Sequence, residues 1–263
     1  MKNIAIVTGA SSGIGREFVH QLDSIGYDEI WGIALNMDKL AEVQREIHTP
    51  MKIFDFDLTK DVNFDKYTAL LKKERPNVQL LINCSGFGKF GRYDEILVDE
   101  SANMIDLNCK AYMKMTEYTL PYIQVGGRII QVASVAGFQP VPYMSVYAAT
   151  KAFVISYSRG LNAELKNQNI SVTCVCPFWT KTNFFNRAKD TNSTCEVVTK
   201  YTAMYDPKDV VKKALNDAQK RKQISVYGHK ARAQARLSKI LPHKTIIKFW
   251  LRQQKLNKKY KNK

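Results

Sequence analysis

Thr8-Gly9-Ala10-Ser11-Ser12-Gly13-Ile14-Gly15 follows directly on the β-branched and apolar run Asn3-Ile-Ala-Ile-Val-Thr8, and a helical-period segment opens at residue 13. A strand that runs through a glycine-rich turn into a helix is a phosphate-binding arrangement. Glycines permit the tight turn and let backbone approach a pyrophosphate, which rests where the first N–H groups of the helix have no partner. The competing reading is a plain turn in which Ser11 or Ser12 caps the helix.

Outward from this turn, short apolar runs at 3–8, 29–34, 51–56, 78–83, 127–132 and 170–176 alternate with helical-period segments near 13–25, 38–48, 62–74, 99–121, 145–167 and 207–221. Parallel neighbours need a crossover and a helix supplies it. The alternation therefore predicts an α/β fold, a Rossmann-type doubly wound parallel sheet flanked by helices; strand order cannot be read from it. No internal repeat or Gly/Ser-rich linker breaks the chain. One dinucleotide-binding and catalytic domain is expected over 1–229, with a basic amphipathic extension over 230–263. The polar stretch 183–206, with its scattered aromatics and the pattern Asp190-Thr-Asn-Ser-Thr194, reads as a long mobile segment of the kind that often forms a lid.

The 263 residues, 45% hydrophobic, suffice for one large domain with a sizeable core. No apolar run approaches the ~18 residues needed to span a bilayer, and the first strand at residue 3 leaves no room for a cleavable signal ahead of it. A cytoplasmic protein is expected, with membrane-surface contact left open. Cys84, Cys109, Cys174, Cys176 and Cys195 form neither a disulfide framework nor a CxxC pair, and Cys174 and Cys176 read as small core residues. The four histidines are scattered, so no metal site is expected. Charge is concentrated. Of the 40 Lys and Arg residues 15 follow Asp217, the last acid, so residues 218–263 carry +15, while the 25 earlier cations against all 24 acids leave residues 1–217 at +1.

The turn has the spacing TGxxxGxG, and on that motif the chain resembles the short-chain dehydrogenase/reductase family over roughly residues 3–230. The resemblance implies a nicotinamide dinucleotide held by Gly9, Ser11, Ser12, Gly13, Ile14 and Gly15. It places the adenosine ribose at the end of the second strand, Ile30-Trp31-Gly32-Ile33-Ala34-Leu35-Asn36. An acid there would suit NAD. Its absence, with Arg16 or Asn36 near, favours NADP over NAD. Asp57 and its neighbour Leu58, in Asp55-Phe56-Asp57-Leu58-Thr59, match the segment beside adenine, although Asp57 or Thr59 can equally shape the turn into the next helix. Asn83 and Gly86 of Asn83-Cys84-Ser85-Gly86 fall where the family carries a related motif, as cofactor-side or sheet-stabilising residues.

Carbonyl reduction needs a hydride on one face and a proton delivered to oxygen as charge grows there. Tyr147 and Lys151, four apart on a helix, share a face, and a neighbouring ammonium is expected to stabilise the tyrosinate. The pattern YxxxK alone is common. Ser134, in Ala133-Ser134-Val135-Ala136-Gly137 after the fifth strand, resembles the family serine that hydrogen-bonds the substrate oxygen; by itself it would be a strand-end turn residue. Asn108 completes the family tetrad, in which it holds a water next to the lysine; alone it would be a satisfied interior amide. Lys151 and Tyr147 also meet the nicotinamide ribose in the family. Pro177 and Thr182, in Pro177-Phe-Trp-Thr-Lys-Thr182, match the segment beside the carboxamide, with Phe178 replacing the usual glycine and putting the local backbone shape in question.

Phe87, Phe90, Phe138, Val141, Pro142, Tyr143, Phe178, Trp179, Phe184 and Phe185 fall in segments expected to line a cavity, or belong to the core. As a lining they fit a small apolar ketone or secondary alcohol that is lipid-like, steroid-like or aromatic. The family resemblance also implies a homo-oligomer, dimer or tetramer. In the tail, Lys244, Lys248, Arg252 and Lys255 share one helical face, with Ile246, Ile247, Phe249 and Trp250 on much of the other. Such a helix meets an anionic membrane surface, a partner or its own domain. Nucleic acid is not expected, because Trp250 and Tyr260 do not supply interleaved stacking groups. The remaining alternative to an oxidoreductase is a non-enzymatic dinucleotide-binding sensor of the same fold.

Overall fold

The computed structural model describes residues 1–191 and 197–256. Seven strands, β1 (Asn3–Thr8), β2 (Glu29–Ile33), β3 (Met51–Phe54), β4 (Asn77–Asn83), β5 (Ile123–Val132), β6 (Ser171–Val175) and β7 (Ile224–Ser225), form one parallel sheet in the order β3-β2-β1-β4-β5-β6-β7. The helices are α1 (Gly13–Leu22), α2 (Met37–Glu46), α3 (Asp61–Glu74), α4 (Val98–Ile105), α5 (Ala111–Thr119), α6 (Ser145–Glu164), α7 (Phe184–Lys189), α8 (Pro207–Gln219), α9 (His229–Leu237) and α10 (His243–Gln253). The doubly wound sheet expected from the alternation is present. The chain builds outward from β1 to β3 and then returns to add β4 on the other side of β1. The loops leaving β1 and β4 therefore depart to opposite faces and leave a crevice at the carboxyl ends of these two strands.

Period-two alternation supplies both layers of core. Ala5 and Val7 of β1 pack with Phe18, Val19 and Leu22 of α1 and Val211, Ala214 and Ala218 of α8. Ile4 and Ile6 face the other way, onto Phe64, Tyr67 and Leu71 of α3, Met115 of α5 and Leu161 of α6. Cys174 and Cys176 are fully buried, as expected of small core residues; Cys195 lies outside the described residues.

Three expectations change. The single helix over 99–121 is α4 and α5 joined by a π-turn at Asp106–Lys110, and the widened turn carries Asn108 into the interior. Within 183–206 the described parts are seated: α7 forms, Phe90 N–H donates to the Ala188 carbonyl at 2.8 Å, and Val197 and Val198 are buried. Buried Lys89 anchors this region, with its ammonium 2.7 Å from Glu100 and also bonded to the Asp190 carbonyl. The described part of the tail packs on the domain. Ala231 of α9 enters the core, Ile246 and Trp250 of α10 are buried, and the Trp250 indole donates to the Pro142 carbonyl at 3.0 Å. Gln254 accepts from Thr199 and Lys200 N–H and donates to the Lys200 carbonyl, each at 3.0 Å. The buried stripe is Ile246, Trp250 and Gln254 at i, i+4 and i+8, narrower than expected. Phe249 falls outside it and is 67% exposed. No described helix is long and apolar enough to cross a membrane.

Candidate active site

At the end of β1 the chain turns through Gly9 so closely on α1 that a Cβ on Gly15 would lie 2.1 Å from the Gly9 carbonyl oxygen. Ser12 is the N-cap of α1 but its side chain caps nothing. The plain capping role is thus not what the serine performs, and the first-turn N–H groups remain available to an anion. That backbone cradle fits a dinucleotide pyrophosphate. The Thr8 hydroxyl accepts from Cys84 N–H at 2.9 Å and Ser85 N–H at 3.1 Å, locking the ends of β1 and β4 together. Sequence reasoning passed over this residue, although a threonine ending a strand just before the glycine turn was a visible signal.

Gly86 continues the same rim. A Cβ there would sit 2.8 Å from Asn108 Oδ1 and 3.4 Å from Lys151 Nζ, so glycine lets the chain pass against both. Asn108 is fully buried; its amide donates to the Phe87 carbonyl (2.8 Å) and Thr150 Oγ1 (3.1 Å) and accepts from Phe87 N–H (3.1 Å). This side chain therefore holds the loop after β4 against α6.

The Lys151 ammonium, itself buried, donates to the Val132 carbonyl at 2.9 Å, and the Tyr112 hydroxyl donates to that carbonyl at 3.0 Å. Burial lowers the Lys151 amine to about 8. Burial also pushes the Tyr147 phenol up to about 12, against the lowering effect of its hydrogen bond with Ser134. Lys151 is not among the groups that shift this phenol. Its ammonium stands 5.8 Å from the Tyr147 ring centre and is committed to Val132, so desolvation dominates. Ser134 is the N-cap of a short 3-10 turn (Val135–Phe138); its Oγ accepts from Ala136 N–H at 3.1 Å and faces the cavity.

One cavity of about 320 Å³ brings together Gly9, Ser12, Gly13, Ile14, Gly15, Gly86, Ser134, Tyr147, Lys151, Pro177 and Thr182. Other expected contacts lie outside its lining. Asn36 caps α2 by accepting from Lys39 N–H at 2.9 Å, and Asp57 accepts from Thr59 N–H and Oγ1 at 2.9 and 2.7 Å, which shapes the turn as its plainer reading had it. Leu58 is core. Ser11 is half-buried, and Asn83 points toward α5, donating to Thr116 Oγ1 at 2.9 Å and Gln131 Oε1 at 3.1 Å. Asn83 is thus sheet-stabilising. Arg16 is paired with Glu46.

The same cavity is lined by Phe87, Val141, Met144, Phe178, Trp179, Phe184 and Phe185, with Trp250 and Gln253 of α10, and these form its apolar chamber. Phe90, Phe138, Pro142 and Tyr143, expected to line the cavity or belong to the core, are outside the lining; Phe90 is buried and packs edge-on against Trp179 and Phe184 at 6.2 and 6.1 Å. Phe178 is not among the residues of positive φ, so its backbone does not require glycine, and its ring packs on Trp179 and Tyr205. Lys151 and Arg187 are the cations of the described lining, which contains no carboxylate; the Arg187 guanidinium sits 3.6 Å from the centre of the Phe87 ring. Met144, Arg187, Gln234, Trp250 and Gln253 carried no local motif and were missed.

Comparison with known proteins agrees with this geometry. The short chain dehydrogenase family model matches residues 3–193. An uncharacterized oxidoreductase of Staphylococcus epidermidis is 32% identical over 178 residues, covering 67% of this chain and 77% of its own. A very-long-chain 3-oxoacyl-CoA reductase-B of Danio rerio is 31% identical over 195 residues, 71% of this chain and 62% of that protein. Among solved structures, a short-chain dehydrogenase from Sphingobium yanoikuyae in complex with NADPH superposes with a TM-score of 0.76 at 27% identity, covering 91% of this chain and 96% of that one. With its glycine cradle, its Ser134, Tyr147 and Lys151 on one cavity and a family match through most of the sheet, the chain belongs to the short-chain dehydrogenase family and is an NAD(P)-dependent oxidoreductase.

Proposed function

We propose that the chain reduces the carbonyl of an apolar ketone to a secondary alcohol, preferring NADPH to NADH, with Tyr147 as the proton donor. The observation that carries this reading is the continuity of the cavity: the glycine cradle, the Ser134 and Tyr147 hydroxyls and the aromatic chamber share one space. The cofactor supplies the hydride. Ser134 Oγ hydrogen-bonds the carbonyl oxygen, and the Tyr147 phenol passes its proton to that oxygen as charge develops. A phenol held at about 12 is protonated at neutral pH, which suits donation and hence reduction. Lys151, at about 8, is charged there and stabilises the phenolate left behind.

The NADPH preference rests on the tip of β2, where exposed Leu35 stands in place of an acid and Glu46 is engaged by Arg16. The chamber's aromatic walls suit a lipid-like or aromatic ketone, and the Danio rerio relative is named for a long-chain oxoacyl substrate. Arg187 offers such a substrate a contact for an anionic end group. A homo-oligomer is part of the reading. The test is a panel of ketones graded in chain length, with and without a terminal carboxylate, assayed with NADPH and NADH by loss of reduced-nicotinamide absorbance. Long apolar ketones turned over with NADPH are expected; activity confined to short hydrophilic carbonyls would overturn the substrate class, and stronger activity with NADH the cofactor preference.

A further inference from the structure

We propose that the outer face of α9 and α10 docks on an anionic lipid bilayer and so sets the substrate chamber against the membrane surface. The two helices are two-sided. Gln234 of α9 and Trp250 and Gln253 of α10 line the chamber. Away from it, Leu237, Ile240, Leu241 and Phe249 are 52%, 78%, 40% and 67% exposed, a concentration of large apolar side chains in a stretch of 13 residues. Arg236, Lys239, Lys244, Lys248, Arg252 and Lys255 are exposed among them. No acid follows Asp217, and the ion pairs of the described residues engage none of these six.

Charge decides between occupants. A second copy seated symmetrically would set this basic face against itself, like charge on like. Nucleic acid would match the cations but leave Leu237, Ile240 and Leu241 without stacking partners or a dry place to go. An anionic bilayer satisfies both halves of the surface: apolar side chains enter the interface while the ammonium and guanidinium groups meet headgroups. A lipid-partitioned ketone then meets the helices that wall the chamber. That delivery step rests on the ketone-reductase reading; the docking does not.

The full-length protein is sedimented with phosphatidylcholine vesicles with and without phosphatidylglycerol, alongside I240S/F249S and K244E/K248E variants, none of which alters a chamber-lining residue. Binding to the anionic vesicles alone is expected, weakened at least about tenfold by either double substitution and by high salt. Reduction of a water-soluble ketone is unchanged in the variants, whereas a ketone partitioned into anionic vesicles is reduced several-fold more slowly by them. Equal sedimentation of wild type and variants, or equal binding to neutral vesicles, overturns the docking, as does a loss of self-association without lipid as the variants' sole effect. Equal rates on the partitioned ketone overturn the delivery. If neither ketone reacts while vesicle binding persists, the reductase reading has failed and the docking surface stands.

Discussion

One wall of the cavity is made of strand ends and turns, where glycines, Ser12 and backbone groups form a cradle that fits a dinucleotide pyrophosphate. The wall of the chamber is made of large side chains from α7, α10 and the loops after β4 and β6, brought together across some 160 residues of sequence. The first is tightly constrained, because a Cβ on Gly15 would meet the Gly9 carbonyl oxygen. The second is an aromatic packing problem with many solutions. On the proposed reading, chemistry is held by the constrained half and substrate choice by the half whose residues can be exchanged without disturbing the sheet.

The comparison breaks most sharply at Tyr147. Tyr147→Phe removes the proton and should lower kcat roughly 10²–10⁴-fold while the dissociation constant for NADPH, read by nicotinamide fluorescence, stays nearly unchanged. On the chamber side, Trp250→Ala should cost about 3–5 kcal/mol of stability in urea unfolding. It should also widen the range of bulky ketones accepted, with KM moving more than kcat. On the cofactor side, Gly15→Ala forces a methyl against the Gly9 carbonyl. We expect a loss of about 1–3 kcal/mol in stability and NADPH binding weakened by at least roughly tenfold.

The pH profile probes where the two halves meet. The proposed reduction needs Lys151 charged and Tyr147 protonated, and pKa values of about 8 and about 12 would satisfy both below pH 8. The value of kcat/KM should be flat from neutrality to about pH 8 and fall above it as Lys151 loses its proton; a rise through pH 8 would contradict this assignment. The smallest effect is expected at Asn36. As a helix cap, Asn36→Ala should cost about 1 kcal/mol of stability and leave the NADPH dissociation constant alone, whereas a cofactor contact would change the constant.

Much of the dinucleotide side was legible because its constraints are local. Gly9, Ser12 to Gly15, Gly86, Ser134, Tyr147, Lys151, Pro177 and Thr182 all reach the cavity from positions where a strand ends or a helix face repeats. The residues on that side that stand outside the lining are of types that suit two tasks. Asn36 and Asp57 read as ligand contacts yet their oxygens serve neighbouring N–H groups, a local bond that Asn and Asp make readily. Asn83 and Asn108 were placed by motif, but nothing in a linear pattern says that the amides turn to Thr116 and Thr150.

By itself, then, the sequence determined the parallel sheet, the glycine turn and the basic segment, since each follows from periodicity, glycine placement or charge count along one stretch of chain. Tertiary structure decided the strand order, the inward turn of Asn108, the net rise in the Tyr147 pKa and the seating of Trp250 over the chamber. Each of these depends on which buried surfaces distant segments present to one another. Desolvation and packing are properties of that assembled interior, and no local spacing encodes them.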